Sequence, residues 1–230
     1  MYEKLRDLPP PQGLYDPAYE HDACGIGFVV NIKGKKSYAI IDDALTILEN
    51  LKHRGAEGAD AQSGDGAGIL VQIPHEFFKR ECGVLGFSLP KAGDYGVGMI
   101  FAHRYDNYRQ QQMQAFAKIV REEGLEILGW REVPIDESLI GSIAETVRPS
   151  FWQVFIKKNS KIKNQMDFER KLYIIRKVAE REIIPPSVEM GTDFYIASLS
   201  SRTVVYKGML TSVQLRHFYL DLSDLDFTTA

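Results

Sequence analysis

Ala23-Cys24-Gly25-Ile26-Gly27-Phe28-Val29-Val30 is where the chain changes character. Before it come three consecutive prolines, Pro9 to Pro11, then Gly13 and Pro17, which prevent a continuous helix or a central strand. Residues 1 to 23 therefore read as an extended arm, and the folded domain as 24 to 230. The apolar run itself, with two glycines in it, reads as a buried strand whose backbone is closely approached.

Working outward, Ser37 can cap a helix whose apolar positions Ile40, Ile41, Ala44, Leu45, Leu48 and Leu51 fall on one face and which ends near His53-Arg54-Gly55. A glycine-rich polar stretch follows to Gly68, and Ile69 to Ile73 resumes as a strand closed by Pro74. Strands are expected at Tyr95–Ala102, Ile127–Val133 and Phe151–Ile156, and helices at about Asn107–Glu123, stopped by Gly124, and Phe168–Ile183, stopped by Pro185-Pro186. Phe194–Leu199 and Thr203–Lys207 read as two strands joined through Ser200-Ser201-Arg202 in a hairpin. Adjacent strand pairs with interspersed helices suit an α+β or layered arrangement better than strict βαβ alternation. The run from Phe218 to Phe227 has neither a capped end nor a polar tail, which suggests a fragment of something longer and leaves Phe218, Tyr219 and Phe227 exposed to promote association.

Composition narrows the function. With 44% hydrophobic residues in 230, one sizeable core is available. Lys+Arg 28 against Asp+Glu 31 gives a net charge of −3, without the basic excess that nucleic-acid phosphates or anionic lipid require. No apolar stretch approaches the ~18 to 20 residues of a membrane helix, and the charged, proline-broken start is unlike a signal peptide. The expected location is cytoplasmic, with no nucleic-acid or membrane partner. Two cysteines and five scattered histidines offer neither a disulfide framework nor a metal site, so the chain by itself is expected to hold no metal.

Cys24 has the most suggestive context, because small neighbours leave room for a reactive sulfur. Cleavage of the Ala23-Cys24 bond would give one residue both a thiol and a free α-amine, whose pKa of about 7.7 to 8.0 makes it a usable base. From residue identity alone, an ordinary buried cysteine opening a strand is the favoured reading. Cys82, in Arg-Glu-Cys-Gly, reads as structural. His53-Arg54-Gly55 could set a cation beside a thiolate, or merely cap the preceding helix. Ser63-Gly64-Asp65-Gly66-Ala67-Gly68 lacks the Lys-Ser/Thr of a phosphate loop, and Asp60 and Asp65 depart from EF-hand spacing. What remains is a tight, backbone-dense turn into a strand, able to line a site or simply reverse the chain.

Five strings in order, EHDACGIGFV, LKHRGAEGADAQSGDGAGILVQIP, YGVGMIFA, LGWREVP and SRTVVYKGML, closely resemble the amino-terminal region of glutamate synthase large subunits across essentially the whole chain. The resemblance implies a class II glutamine amidotransferase domain with an amino-terminal-nucleophile hydrolase fold, a four-layer αββα sandwich incomplete at the carboxy terminus. It implies that residues 1 to 23 are a propeptide cleaved between Ala23 and Cys24, and that Cys24 is the nucleophile. Arg54 matches the family's arginine near the nucleophile, and His53 carries over only as part of the motif. The implied substrate is L-glutamine. In the parent enzyme ammonia would pass through a tunnel to a synthase domain that reductively aminates 2-oxoglutarate, with FMN, an iron-sulfur cluster and NAD(P)H or ferredoxin, and with a small flavoprotein subunit. No cofactor is expected in this chain.

The same resemblance places an arginine that grips the glutamine α-carboxylate, and an Asn-Gly oxyanion hole, after SRTVVYKGML, and no matching motif occurs before Ala230. An oxyanion hole is worth about 3 to 4 kcal/mol of barrier, so the fragment is expected to be weak or inactive. The rivals are another class II amidotransferase such as amidophosphoribosyltransferase, against which LGWREVP and SRTVVYKGML argue, and a catalytically silent regulatory module of the same fold.

Overall fold

The computed structural model describes residues 10–13, 16, 25–52, 64, 66–184 and 193–230. Strands β2 (Tyr95–Ala102), β3 (Glu126–Glu132), β4 (Ser150–Lys157) and β5 (Tyr195–Ser200) form an antiparallel sheet in the order β3-β4-β2-β5. A second antiparallel pair joins β1 (Ala67–Gln72) to β6 (Thr203–Gly208). The helices are α1 (Tyr38–Asn50), α2 (His75–Val84), α3 (Asp106–Glu122), α4 (Ser142–Val147), α5 (Gln165–Glu182) and α6 (Ser212–Phe218).

The sequence explains why the larger sheet has two covered faces. The β2 run YGVGMIFA is apolar at nearly every position, as a strand buried on both sides must be. On one face its Ile100 and Ala102, with Val154 and Ile156 of β4, pack against α3 and α5. The α5 stripe Phe168, Leu172, Ile175 and Ala179 recurs at three-to-four spacing, and Asn164 caps that helix by accepting from the Asp167 N–H at 2.8 Å. Gly124 ends α3 with φ +78, a conformation open to glycine. On the other face Val97, Met99 and Phe155 share a core with Ile69 and Val71 of β1 and Val204 and Tyr206 of β6. Two sheets thus lie face to face, with α3 and α5 outside the larger and α1 and α6 against β1, the α+β sandwich expected.

Several local expectations fail. Ser37 occupies the cap position of α1, but its side chain makes no cap bond; its backbone is bridged to Thr229 in both directions. Gly25–Val30 takes no regular secondary structure and joins no ladder, and Ile26 and Phe28 are 92% and 89% exposed, so it is not a buried strand. The β5–β6 link is not a hairpin, since the two strands belong to different sheets. The Glu169 carboxylate of α5 accepts from the Ser201 N–H at 2.7 Å and from both serine hydroxyls, and Ser198 Oγ accepts from the Val205 N–H at 3.1 Å. Side chains take the donors that a hairpin ladder would need. Nor are Phe218, Tyr219 and Phe227 exposed: all three are buried against Phe151, Tyr206, Phe77 and Phe78.

Candidate active site

The residue that follows Cys24 opens a cleft. Gly25–Val29, half-buried apolar residues of α1 and the edge of β1 enclose about 460 Å³. Gly27 lies so close to α1 that a Cβ there would overlap the Ile47 side chain, which is the close approach its missing side chain suggested. Leu51, at the end of α1, lines the same cleft. Thr229 closes one side: its N–H and C=O bridge Ser37, and its hydroxyl accepts from the Gln72 N–H at 3.1 Å. Ala23, Cys24, His53, Arg54, Asp60 and Asp65 lie outside the described residues. Gly25, next to Cys24 in the chain, and Leu51, three residues before Arg54, both line this cleft.

The glycine-rich entry to β1 has a packing role. A Cβ on Gly64 would fall on the Leu210–Thr211 backbone, and one on Gly68 would sit 2.7 Å from the Lys207 Cβ. The turn is backbone-dense because it is pressed against β6 and the segment after it.

Deeper in, the space between the sheets holds a closed polar network that pattern reading did not find. Arg131 of β3 donates to both oxygens of Asp221 at 2.8 Å, to Gln153 at 3.0 Å and to Glu81 at 3.0 Å. Tyr206 donates to Asp221 at 2.7 Å and accepts from Gln153 at 2.7 Å. Burial alone would lower the Arg131 pKa, but the hydrogen bonds and charge of Asp221 outweigh it and hold the guanidinium charged. Burial, then the Asp221 charge, raises the Tyr206 phenol, which stays protonated. The signal available in sequence was a charged residue at a core-phase position: Arg131 within LGWREV and Asp221 between Leu220 and Leu222. This network ties LGWREVP, SRTVVYKGML and the segment carrying Thr229 into one unit, and it is structural.

Cys82 is buried and unpaired, and burial pushes its thiol up to about 12, so it is no nucleophile at neutral pH, as its context suggested. Among the described residues no three His, Cys, Asp or Glu side chains converge as a metal site, and no helix is long and apolar enough to cross a membrane.

Residues 24–230 match the family of glutamine amidotransferases class-II. The chain belongs to that family. This amidotransferase domain is 46% identical over 223 residues to the glutamate synthase [NADPH] large chain of Bacillus subtilis, covering 97% of the chain and 14% of that protein. It is 39% identical over 229 residues to glutamate synthase [NADH] of Schizosaccharomyces pombe, covering 96% and 10%. Against the chloroplastic ferredoxin-dependent glutamate synthase of Oryza sativa subsp. japonica it is 43% identical over 205 residues, covering 89% and 12%. The amidotransferase domain thus spans 10–14% of the length of these relatives. Its facing antiparallel sheets and flanking helices agree with the amino-terminal-nucleophile hydrolase type of that family.

Proposed function

We propose that the chain is the glutaminase domain of a glutamate synthase large subunit, with Cys24 as nucleophile and residues 1 to 23 as a propeptide removed between Ala23 and Cys24. The observation that carries this reading is 46% identity over 97% of the chain to a glutamate synthase large chain, with a family match that starts at Cys24. On this reading the Cys24 sulfur attacks the side-chain carbonyl carbon of L-glutamine, and the C–N bond breaks to leave a γ-glutamyl thioester. The leaving nitrogen takes a proton passed from the thiol through the Cys24 α-amine and departs as ammonia; water then hydrolyses the thioester and restores the thiol. Arg54 supports the site as a fixed cation near the sulfur. The cleft beside Gly25 supplies the room that such a residue needs.

In the parent protein the ammonia would pass to a synthase domain that makes glutamate from 2-oxoglutarate, alongside a small flavoprotein subunit. FMN, an iron-sulfur cluster and NAD(P)H would serve that domain. The sequence contains two cysteines in all, Cys24 and Cys82, fewer than the four thiolates that hold an ordinary iron-sulfur cluster. A cytoplasmic setting belongs to the same reading, since free glutamine and a pool of reductant are needed together.

Intact mass of the full-length protein, with and without a diazo-ketone analogue of glutamine, tests the reading. The expected result is loss of the first 23 residues and a single adduct on Cys24, absent in Cys24→Ala together with glutamine hydrolysis. An unprocessed chain that still hydrolyses glutamine, or an adduct elsewhere, would overturn it.

A further inference from the structure

At the end of β1 remote from the Gly64 turn, a second cavity of about 430 Å³ opens between the start of β6 and the turn that precedes β2. Exposed Lys36 and Arg202 stand at its rim, and Tyr95, 1% exposed, lies at its floor, where its hydroxyl is held 3.0 Å from His75 Nδ1. Neither cation forms an ion pair among the described residues. The contact of the Arg202 guanidinium is to the sulfur of Met166, 3.5 Å away, which carries no charge.

Among the described residues, three carboxylates of neighbouring elements are already engaged. Glu169 accepts from Ser200 and Ser201, Asp94 pairs with Lys91 and Lys158, and Glu76 pairs with Lys79. The amino end of α2 adds positive potential, because Ile73 lines the cavity two residues before the helix starts and Pro74, at the cap position, contributes no side-chain hydrogen bond. Both cations also spring from fixed backbone. The Arg202 carbonyl accepts from Ile73 N–H at 2.9 Å and its N–H donates to Ser200 Oγ at 3.0 Å, while Lys36 adjoins Ser37, which is bridged to Thr229.

We infer that this cavity binds a small anion bearing a phosphate or a pair of carboxylates, gripped by Arg202 and Lys36. A guanidinium presents a planar fork that matches either group, an ammonium adds a mobile point charge, and two like charges facing one space are relieved by an anion between them. Gln72 and Thr203 form a wall shared with the cleft beside Gly25, whereas Lys36 and Arg202 line this cavity and not that cleft. Their exposure to solvent sets a modest affinity that falls as salt rises.

Titration calorimetry on the protein, with inorganic phosphate in one arm and glutarate in the other at ionic strength held constant by sodium chloride, tests the inference. Saturable one-site binding is expected in at least one arm, and the tighter arm assigns the chemistry. Arg202→Gln should weaken it about tenfold or more, the loss of one charge-assisted hydrogen bond. Lys36→Gln should weaken it less, Arg202→Lys should restore part of the loss, and Lys161→Gln, an exposed lysine elsewhere, should leave it unchanged. Both tested side chains are exposed, and an unchanged melting temperature without ligand confirms that the variants fold. Absence of saturable binding in both arms, or equal binding by Arg202→Gln, overturns the inference.

Discussion

Between the sheets, Arg131, Gln153, Tyr206 and Asp221 are each no more than 4% exposed and are hydrogen-bonded to one another. Beside Gly25–Val30 the situation is reversed: Ile26, Phe28 and Leu70 hold apolar side chains at 92%, 89% and 64% exposure around a cleft. Polar groups are closed in where the molecule is packed, and apolar groups are open where it is not. Cooperative stability therefore resides in the first region, and the second is free to adjust at little expense, which is what a site that must admit a substrate requires. Each prediction below perturbs one region and asks whether the other responds.

The largest effect should come from Asp221→Ala. It leaves the Arg131 guanidinium buried without its bidentate partner and removes the acceptor of Tyr206, so a loss of about 3–5 kcal/mol in chemical-denaturant unfolding is expected. Replacing Arg131 and Asp221 together by Met and Leu should recover most of it, because the penalty is that of the stranded charge. Glu122→Ala, which breaks the exposed pair with Lys118 at 3.7 Å, should cost under about 0.5 kcal/mol. Equal losses for Asp221→Ala and Glu122→Ala would show that the inter-sheet network does not anchor the fold.

Two glycines sharpen the contrast, because both lack room for a Cβ. At Gly64 the obstruction is the Leu210–Thr211 backbone, tied to β6 and α6, which cannot rotate away. Gly64→Ala should therefore cost about 2–3 kcal/mol, the upper part of the range for overpacking. At Gly27 the obstruction is one methyl of half-buried Ile47, and the segment carrying the glycine is exposed. Gly27→Ala should cost less than about 1 kcal/mol, since a rotamer change or a small shift of the exposed segment relieves it. Thermal unfolding of the two variants side by side decides it, and a costlier Gly27→Ala would mean that the cleft wall is as rigid as the core.

The same contrast explains what could be read from sequence. β2 was legible almost to the residue because a strand covered on both faces is apolar throughout, and α3 and α5 because their buried stripes, Gln112 to Val120 and Phe168 to Ala179, keep three-to-four spacing along long helices. α2 and α4 were missed; α2 is ten residues long with a stripe reduced to Phe77, Phe78 and Cys82, and α4 only six. The β5–β6 link misled because Ser-Ser-Arg has the composition of a turn, while the group that diverts it, Glu169, lies 31 residues from Ser200. Arg131 and Asp221 are 90 residues apart, and nothing local to either names its partner. For the candidate site the sequence offers a chemical reading, Cys24 after a proline-rich arm, but the exposure of Ile26 and Phe28 beside the cleft was not legible, since an apolar run reads as buried whichever elements meet it.

The smallest expected effect is a pH dependence at His75, between α2 and the second cavity. Burial lowers its pKa below the ordinary 6.5, with Lys79 and Lys36 acting in the same sense and Glu76 against them. The unfolded chain therefore takes up a proton first as pH falls, so stability is complete above 6.5 and declines as pH drops from there through the folded value. His75→Asn should lose less stability than wild type between about pH 7.5 and pH 5.5 in matched urea titrations. The ring is only half-buried and solvent screens its neighbours, so the difference should be the smallest of those predicted here. Lys36→Gln distinguishes the causes: removing that charge lets the His75 pKa rise toward its ordinary value, and the pH-dependent loss should shrink without vanishing. A loss unchanged in Lys36→Gln but abolished in His75→Asn would leave burial, with Lys79, as the whole cause and place the Lys36 ammonium too far from the ring to act on it.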